Sequence, residues 1–313
     1  MEGIRRHPVL GQLQKELIRC EIVWAHIFRK INKENSKGKQ RNQKEKEEKG
    51  KGTLCLAKLS TGCPLNKREN MRNVVFAPGN FYHVYNRGVD RRQIFLEDND
   101  RWRFLQGLCL FNNEEITGNI LWQLERNRGD VTLGVLKEFI STSPENRNPL
   151  VRILAYCLMP NHYHFLVEEI RKDGISKFMQ RFGGGYTRYF NNRYDRSGSL
   201  FQGTFKACLV DNEAYLQYLV VYLHVMNPGQ LMYPNIKQEG VKDTEELISF
   251  VDSFPWSTHQ EYMEKRHSII IDKGILGESI WDSSTYRNLI KAVLDEKRYE
   301  EISHLMIEDE KIG

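Results

Sequence analysis

"MPNHYHFLVEE", residues 159–169, begins with three residues that favour a turn and continues as an alternating hydrophobic segment. Such a pattern is typical of a half-buried β-strand. Because side chains two residues apart in a strand point to the same side, His162 and His164 should lie side by side, and Tyr163 should face the other layer. The pair is compatible with locally hydrogen-bonded structural histidines or with two of the three ligands of a metal site.

The segments around this strand alternate between strand and helix patterns. "NFYHVYNRG" is typical of a strand that ends in a turn, and "DNDRWRFLQGLCLF" has helical periodicity after capping aspartates. "VRILAYCLM" precedes the histidine strand, and "GISKFMQRFGGGYTRYFNNRY" and "GSLFQGTFKACLV" follow it as a long helix with three glycines and a strand or hairpin. Strand, helix, strand, strand, helix, strand is the order of a ferredoxin-like split βαβ. The sequence therefore predicts an α+β fold with an antiparallel sheet backed by helices.

Composition limits the class of protein. The 313 residues carry a net charge of +5 and are 40% hydrophobic, which favours a soluble protein with a modest bias towards polyanionic partners. We found no apolar stretch of the roughly 18 residues that a membrane span needs, and no signal-peptide core near the N-terminus. The six cysteines include no CxxC pair, which argues against a zinc ribbon and favours reduced thiols in a cytoplasmic protein.

Changes in composition predict three regions. Residues 1–72 contain an amphipathic helical pattern over 11–32 and then the charged stretch "KINKENSKGKQRNQKEKEEKGKGT", which buries too little apolar surface to order itself. We interpret 1–72 as a basic appendage, 73–240 as the α+β domain and 241–313 as a helical C-terminal extension.

A tyrosine stripe occurs on the helix "DNEAYLQYLVVYLHVMNPG". Tyr215, Tyr218 and Tyr222 fall at positions i, i+3 and i+7, and core packing accounts for at least two of them. A tyrosine near a metal-bound phosphate is also a good nucleophile for a phosphodiester, because the metal withdraws charge from the phosphoryl oxygens. The resulting phosphotyrosine conserves the bond for rejoining.

Four motifs in order carry a family resemblance: "YHVYNRGVDRRQIF", "MPNHYHFLVEE", "GGGYTRYFNNRYDRSGSLFQGTFKA" and "YLHVMNPG". Together they resemble the REP-associated tyrosine transposases, which belong to the HUH (His-hydrophobe-His) single-strand endonucleases. The resemblance covers roughly residues 73–265, including "FPWSTHQEY". It implies that the domain at 73–240 nicks and rejoins single-stranded DNA at short palindromic hairpins, through a 5′-phosphotyrosyl intermediate and a free 3′-hydroxyl.

The resemblance also implies roles for individual residues. His162 and His164 match the metal-binding pair, Tyr222 matches the nucleophile, and Asn227 matches the third ligand of a Mg²⁺ or Mn²⁺ ion. Histidine ligation favours manganese, since magnesium prefers oxygen ligands.

The family spacing Tyr-x-x-x-Asn-Pro is longer by one residue here. In a regular α-helix position i+5 lies about 140° from position i, so a π-bulge or a loosened final turn would be needed to align Tyr222 with Asn227. His224 is the alternative ligand, although in a regular helix it would face away from Tyr222.

Basic residues occur in two main places. Three arginines follow the first strand beside Gly88, where a turn can bind phosphates or can simply be solvated. Arginines and tyrosines alternate along the long helix, which suits base stacking, although some of these tyrosines must pack the helix on the sheet. The predicted DNA contacts are Arg87, Arg91, Arg92, Arg188, Arg193 and Lys206.

The predicted partner is single-stranded DNA with hairpins, and the sequence leaves a monomer or a dimer open. One alternative is a domesticated hairpin-binding protein that has lost cleavage, which the extra residue before Asn227 would explain. Another is an RNA-binding protein on the same sheet, although the candidate strands carry no RNP-like aromatic motif.

Overall fold

The computed structural model describes residues 74–115, 148–211, 213–274, 276 and 282–295. The predicted appendage at 1–72, with its helical pattern over 11–32, lies outside the described residues.

A four-stranded antiparallel sheet forms the centre of the fold. Its strands are β1 Phe81–Arg87, β2 Val151–Met159, β3 His162–Glu169 and β4 Lys206–Val210. They lie in the order β2-β3-β1-β4, and every neighbouring pair is antiparallel. Helix α1, Asp98–Leu110, lies between β1 and β2 along the chain, and helix α2, Gly174–Arg193, lies between β3 and β4. This order confirms the predicted α+β ferredoxin-like fold.

Helices α1 and α2 cover one face of the sheet through aromatic side chains. Phe104 of α1 packs edge-on against Phe182 of α2, with ring centroids 4.5 Å apart, and against Tyr163 of β3 at 5.2 Å. Both phenylalanines are fully buried, and each such burial contributes roughly 1.5–3 kcal/mol. Tyr163 therefore faces the helical layer, as the alternation of β3 predicts, and the two histidines beside it face the other way.

Helix α2 runs without a break through its three glycines. A Cβ atom on Gly185 would lie 2.5 Å from the ring of Phe111, just beyond the end of α1. This glycine therefore permits the two helices to approach closely. The next residue, Tyr186, also connects α2 to the segment before α1, because it donates a hydrogen bond to the carbonyl oxygen of Ile94 at 2.6 Å.

The chain after β4 covers the other face and one edge of the sheet with helices. Several of these helices are short. Earlier in the chain, a short 3-10 turn, Val89–Arg91, directly follows β1. The later helices are α3 Glu213–Val221, the π-helix Tyr222–Met226, α4 Asn227–Gly229, α5 Ile236–Glu239, α6 Thr244–Ser253, α7 His259–Tyr262 and α8 Ser283–Asp295. None of the helices in the described part of the chain is long and apolar enough to cross a bilayer.

Residues after 240 contact the outer strand β2 directly. The backbone N–H of Leu158 donates to the carbonyl oxygen of Trp256 at 2.8 Å, and that of Thr258 donates to Tyr156 at 3.0 Å. These bonds cover hydrogen-bonding groups on the edge of β2 that would otherwise be open to another strand. The domain division at residues 240 and 241 stays a prediction.

Candidate active site

The strand register gathers histidines and cations on one face of the sheet. His164 of β3 pairs with Tyr85 of β1, which pairs in turn with Lys206 of β4. His162 pairs with Arg87, two residues away along each strand and on the same face. Side chains that are directly opposed in antiparallel strands share a face. Both histidines, Arg87 and Lys206 therefore lie on the side of the sheet away from α1 and α2.

The predicted histidine pair and tyrosine come together on this face. The rings of His162 and His164 are perpendicular, with centroids 5.1 Å apart. The ring of Tyr222 stands edge-on to that of His164, with centroids 5.3 Å apart. All three residues are buried, and Tyr222 is only 1% exposed. Residues more than fifty positions apart thus form one compact group.

The π-helix accounts for the unusual spacing between Tyr222 and Asn227. The backbone N–H of Asn227 donates to the carbonyl oxygen of Tyr222, five residues earlier. This hydrogen bond belongs to a π-helix and brings the fifth residue close to alignment with the first. Asn227 is fully buried; its Oδ1 accepts a hydrogen bond from Gln230 at 3.3 Å, and its Nδ2 has no hydrogen-bond partner among the described residues.

A third histidine, which sequence reasoning missed, lies beside the pair. His83 of β1 is fully buried, and its Nε2 lies 2.8 Å from Nδ1 of His164. Its ring also lies 4.8 Å from that of Tyr85 and 6.4 Å from that of Tyr222. The period-two alternation of "NFYHVYNRG" places His83 on the same face as Tyr85 and Arg87, and that signal could have found it.

His224, the alternative metal ligand, faces a different set of partners. Its Nδ1 lies 2.6 Å from the hydroxyl of Tyr286, and its Nε2 lies 2.7 Å from the hydroxyl of Thr258. Both ring nitrogens are therefore engaged, and neither has a lone pair left for a metal ion. Asn227 remains the better candidate on this helix.

The bonds of His224 belong to a buried polar chain that ends at a carboxylate. The Tyr286 hydroxyl also lies 2.9 Å from Nδ1 of His259, whose Nε2 lies 2.7 Å from the carboxylate of Asp252. Burial would raise the pKa of Asp252, but hydrogen bonds from His259, Arg287 and Lys265 lower it to about 2. Asp252 is thus an ionised acceptor at neutral pH.

The protonation states determine which group donates in each hydrogen bond of this chain. Burial lowers the pKa of His259 in spite of Asp252, and it lowers the pKa of His224 well below its usual value, so both rings are neutral at pH 7. His259 therefore donates from Nε2 to Asp252, and Tyr286 donates to His259. His224 then donates from Nδ1 to Tyr286 and accepts from Thr258. Every member has a partner, and the chain joins α8 to the π-helix. The segment "FPWSTHQEY" carries part of the family resemblance, but nothing in its spacing predicts this network.

The basic turn after β1 lies against the turn before His162. The backbone N–H of Gly88 donates to the carbonyl oxygen of Asn161 at 2.8 Å. A Cβ on Gly88 would lie 2.2 Å from the carbonyl oxygen of Arg92, so the turn requires glycine here. Asp90 and Arg91 adopt left-handed backbone angles, with φ of 53° and 57°. The turn therefore holds a specific conformation beside the histidine strand.

The predicted cations around this turn differ in their contacts. Arg87 donates from Nε to Oε1 of Gln202 at 2.5 Å. Arg92 donates to the carbonyl oxygen of Val89 at 3.1 Å and lies 3.6 Å from the carboxylate of Asp90. These contacts hold Arg87 and Arg92 at the rim of the histidine face.

The predicted cations on α2 are not brought to the histidines, because α2 packs on the opposite face of the sheet. Arg188 is exposed, and Arg193 forms an ion pair with Glu97 at 2.7 Å. The tyrosines interleaved with them, Tyr189 and Tyr194, donate hydrogen bonds to the buried Asp100 at 2.9 and 2.8 Å. Both hydroxyls therefore fix α2 to the start of α1. A DNA contact by Arg188 or Arg193 stays a prediction.

A divalent ion was expected from the sequence. Over the described ranges, no group of three or more His, Cys, Asp or Glu side chains is arranged to hold a metal ion. The predicted donors are the imidazoles of His162 and His164 together with the buried amide of Asn227, and their joint binding of a metal ion stays a prediction. This set leaves coordination positions for water or substrate, as a catalytic site requires.

Residues 129–225 match the family model described as "Transposase IS200 like". The matched segment includes His162, His164 and Tyr222 and ends two residues before Asn227. No curated protein matches the chain.

Two solved structures show partial similarity. One is a REP-associated tyrosine transposase bound to a REP hairpin, 14% identical, covering 67% of this chain and 95% of that chain with a TM-score of 0.35. The other is the tRNA(His) guanylyltransferase from Saccharomyces cerevisiae, 10% identical, covering 58% and 75% with a TM-score of 0.29. The family match, which spans the histidine strand and the tyrosine helix, confirms the resemblance that the motifs indicated: residues 129–225 are similar to the IS200-like transposases.

Proposed function

We propose that this protein nicks and rejoins single-stranded DNA, with Tyr222 as the nucleophile. The observation that carries the proposal is the edge-on contact of Tyr222 with His164, 5.3 Å between centroids, on the face that also holds His162. A family match that supports a transposase role adds to the geometry.

The reaction follows from the chemistry of a phenol and a phosphodiester. The Tyr222 oxygen attacks phosphorus and forms the new O–P bond, while the bond from phosphorus to the 3′-oxygen breaks. The phenolic proton is lost and the departing 3′-oxygen gains one, so the products are a 5′-phosphotyrosyl protein and a free 3′-hydroxyl. The reverse attack by a 3′-hydroxyl rejoins the strand.

His162, His164 and Asn227 would hold the divalent ion in this proposal. When bound, Mg²⁺ or Mn²⁺ withdraws charge from the phosphoryl oxygens and helps to align the attack. The two imidazoles favour Mn²⁺, and the Asn227 amide supplies the oxygen ligand. The buried Nδ2 of Asn227, which lacks a hydrogen-bond partner in the described part of the chain, supports a role beyond packing for this amide.

Arg87 and Lys206 would bind the DNA backbone next to the scissile phosphate. Each flanks the histidines in the strand register, Arg87 opposite His162 and Lys206 two strands from His164. Arg91 and Arg92, on the adjoining turn, would bind phosphates further along the strand. A single-stranded segment beside a DNA hairpin is the substrate that the resemblance implies.

Access to Tyr222 requires a structural change. With 1% of its surface exposed, Tyr222 cannot meet a phosphodiester until the π-helix or the chain around it moves. π-Helices are less regular than α-helices and often occur at functional sites, so the segment Tyr222–Met226 is suited to such a movement.

The test is incubation of the full chain with a labelled library of single-stranded hairpins and Mn²⁺, followed by electrophoresis in SDS. We expect a protein–DNA adduct that resists SDS, carries the DNA fragment on the 3′ side of the nick through its 5′ phosphate, and disappears when the metal is chelated. Binding without any adduct would contradict the nuclease and favour the second candidate, a hairpin-binding protein without cleavage, for which the burial of Tyr222 is the supporting observation. Hairpins of the same sequence in RNA are the competitor that measures the preference for DNA.

A further inference from the structure

Asn161, the last residue of the turn before β3, connects His162 to the basic turn. Its side-chain Nδ2 donates to the carbonyl oxygen of Arg91 at 3.3 Å, and its Oδ1 lies 2.7 Å from Nδ1 of His162. Its backbone carbonyl also accepts from Gly88 at 2.8 Å. One residue thus links a candidate ligand to a candidate phosphate-binding turn.

The orientation of the Asn161 amide follows from its partners. The carbonyl oxygen of Arg91 can only accept a hydrogen bond, so the amide must present its nitrogen there. The amide oxygen then faces Nδ1 of His162, and this oxygen can only accept. His162 must therefore carry its proton on Nδ1, and the lone pair of the neutral ring is on Nε2.

The neighbouring backbone holds Asn161 in place. The carbonyl oxygen of Pro160 accepts from the backbone N–H groups of Ile94 and Phe95 at 2.9 and 3.3 Å, which fastens the turn to the chain after the basic turn. The left-handed angles of Asp90 and Arg91 belong to the same arrangement that presents the Arg91 carbonyl to Asn161. These backbone hydrogen bonds therefore hold Asn161 in the position from which it orients the ring of His162.

We propose that Asn161 is a positioning residue that fixes the tautomer of His162 and thereby prepares Nε2 to bind a divalent ion. A histidine ligand usually donates its other N–H to an oxygen, and loss of that partner commonly weakens metal binding by about 10- to 100-fold. Since the same side chain bonds to the basic turn, the placement of that turn and metal binding depend on one residue. The inference rests on the proposed function for its purpose, but the tautomer of His162 can be measured without metal.

Two substitutions separate this role from simple support of the turn. Asn161→Leu removes both side-chain bonds, whereas Asn161→Asp loses the bond to Arg91 but keeps an oxygen acceptor for His162 Nδ1. Asn191→Leu is the matched control, because Asn191 also bridges a carbonyl oxygen, that of Gly198 at 2.9 Å, and a donor, Arg196 at 2.8 Å, on α2.

The experiment measures Mn²⁺ affinity by electron paramagnetic resonance and the His162 tautomer by ¹⁵N spectroscopy of the metal-free protein, at a pH where the ring is neutral. We expect Asn161→Leu to bind Mn²⁺ about 10- to 100-fold more weakly and to populate the Nε2–H form. Asn161→Asp and Asn191→Leu should keep the wild-type affinity and the Nδ1–H form. Thermal unfolding of each variant checks that it folds.

Two outcomes would overturn the inference. One is an Nε2–H tautomer for His162 in the metal-free wild-type protein, whatever its activity. The other is an equal loss of Mn²⁺ affinity in Asn161→Asp and Asn161→Leu, because the effect would then arise from the turn. A wild-type protein with the Nδ1–H tautomer that forms no DNA adduct would instead contradict the proposed function and leave the positioning role standing.

Discussion

The backbone N–H of Asn227 donates its hydrogen bond to the carbonyl oxygen of Tyr222, five residues earlier. This single bond lets a tyrosine and an asparagine separated by four residues approach alignment on one helix, where a regular α-helix would turn them about 140° apart. Tyr222 faces His164 in this arrangement, and His224, two residues further on, faces Tyr286.

Removal of one hydroxyl should separate the nucleophile from the other tyrosines. We expect Tyr222→Phe to fold, bind hairpin DNA and bind Mn²⁺ like the wild type, but to form no SDS-resistant adduct, because phenylalanine has no atom for the phosphoester. Tyr215→Phe and Tyr218→Phe are the controls and should form the adduct normally. An adduct in Tyr222→Phe that is lost in either control would show that the nucleophile is elsewhere on the stripe.

The three proposed metal ligands should differ in their importance. His164→Ala should weaken Mn²⁺ binding strongly and abolish cleavage, and excess Mn²⁺ should restore part of the activity. Asn227→Ala should have a milder effect, since water can replace an amide oxygen. Calorimetric titration with Mn²⁺ measures both, with Tyr222→Phe as a control that keeps every ligand. Equal affinity in His164→Ala and the wild type would exclude His164 as a ligand.

Neutralisation of the basic turn should reduce the salt dependence of DNA binding. If Arg91 and Arg92 each bind one phosphate, the double Gln variant should lower the slope of log K against log salt by about 1.4 for single-stranded DNA, or roughly 0.7 per contact. The matched control replaces Arg171 and Lys177, two cations away from the histidine face. The same slope in both double variants would assign Arg91 and Arg92 to a solvated turn.

The Tyr286 hydroxyl, which bridges two buried histidines, should matter more to stability than the hydroxyl of Tyr262. Tyr286→Phe leaves Nδ1 of His224 and Nδ1 of His259 buried without their shared partner, and each such group costs about 1–3 kcal/mol. We expect the free energy of unfolding to fall by roughly 2–4 kcal/mol in urea titrations. Tyr262→Phe, which loses one bond to the carbonyl oxygen of Leu154 at 3.1 Å, is the comparison and should cost less. If both substitutions lowered the free energy of unfolding equally, the bridge that Tyr286 makes between the two histidines would add nothing to stability.

The stability of the protein should depend on pH through His224. Burial lowers its pKa, and electrostatic interactions with His259, Lys273 and Arg266 lower it further, so His224 in the folded state stays neutral where the unfolded state takes up a proton. The unfolded state therefore binds more protons, and stability falls as the pH drops below about 6.5, by about 1.4 kcal/mol per pH unit for one histidine. His224→Gln should remove this contribution from the slope between about pH 6 and pH 5. An unchanged slope would contradict the lowered pKa.

The sequence predicted the sheet because its signals are local. Period-two alternation in β1, β2 and β3 and the helical periodicity of α1 determine the element order, and that order admits few folds. The facing of His162, His164 and Tyr163 followed from the same alternation. His83 was accessible to this reasoning as well, but a lone histidine on a buried face is more often a packing residue.

The polar chain and the contacts of α2 could not be predicted in this way. Thr258 and Tyr286 meet His224 only through the packing of separate segments, and no spacing rule connects residues 34 and 62 positions apart. Tyr189 and Tyr194 alternate with arginines as a nucleic-acid surface would, yet the buried carboxylate of Asp100, on another helix, takes both hydroxyls. The role of such side chains depends on their contacts with other helices and strands, which the local composition does not predict.

In the buried chain from Asp252 to Thr258, the donor and acceptor of several hydrogen bonds can also exchange roles. If His259 takes up a proton, it can donate from both nitrogens, to Asp252 and to Tyr286; Tyr286 then donates to His224, and His224 donates from Nε2 to Thr258. The Thr258 hydroxyl then donates to the carbonyl oxygen of Tyr156 in β2, 3.3 Å away. One added charge would thus invert the polarity of three hydrogen bonds while every heavy atom keeps its neighbour, and the tautomer of His224 in the π-helix would depend on the protonation of His259 on α7.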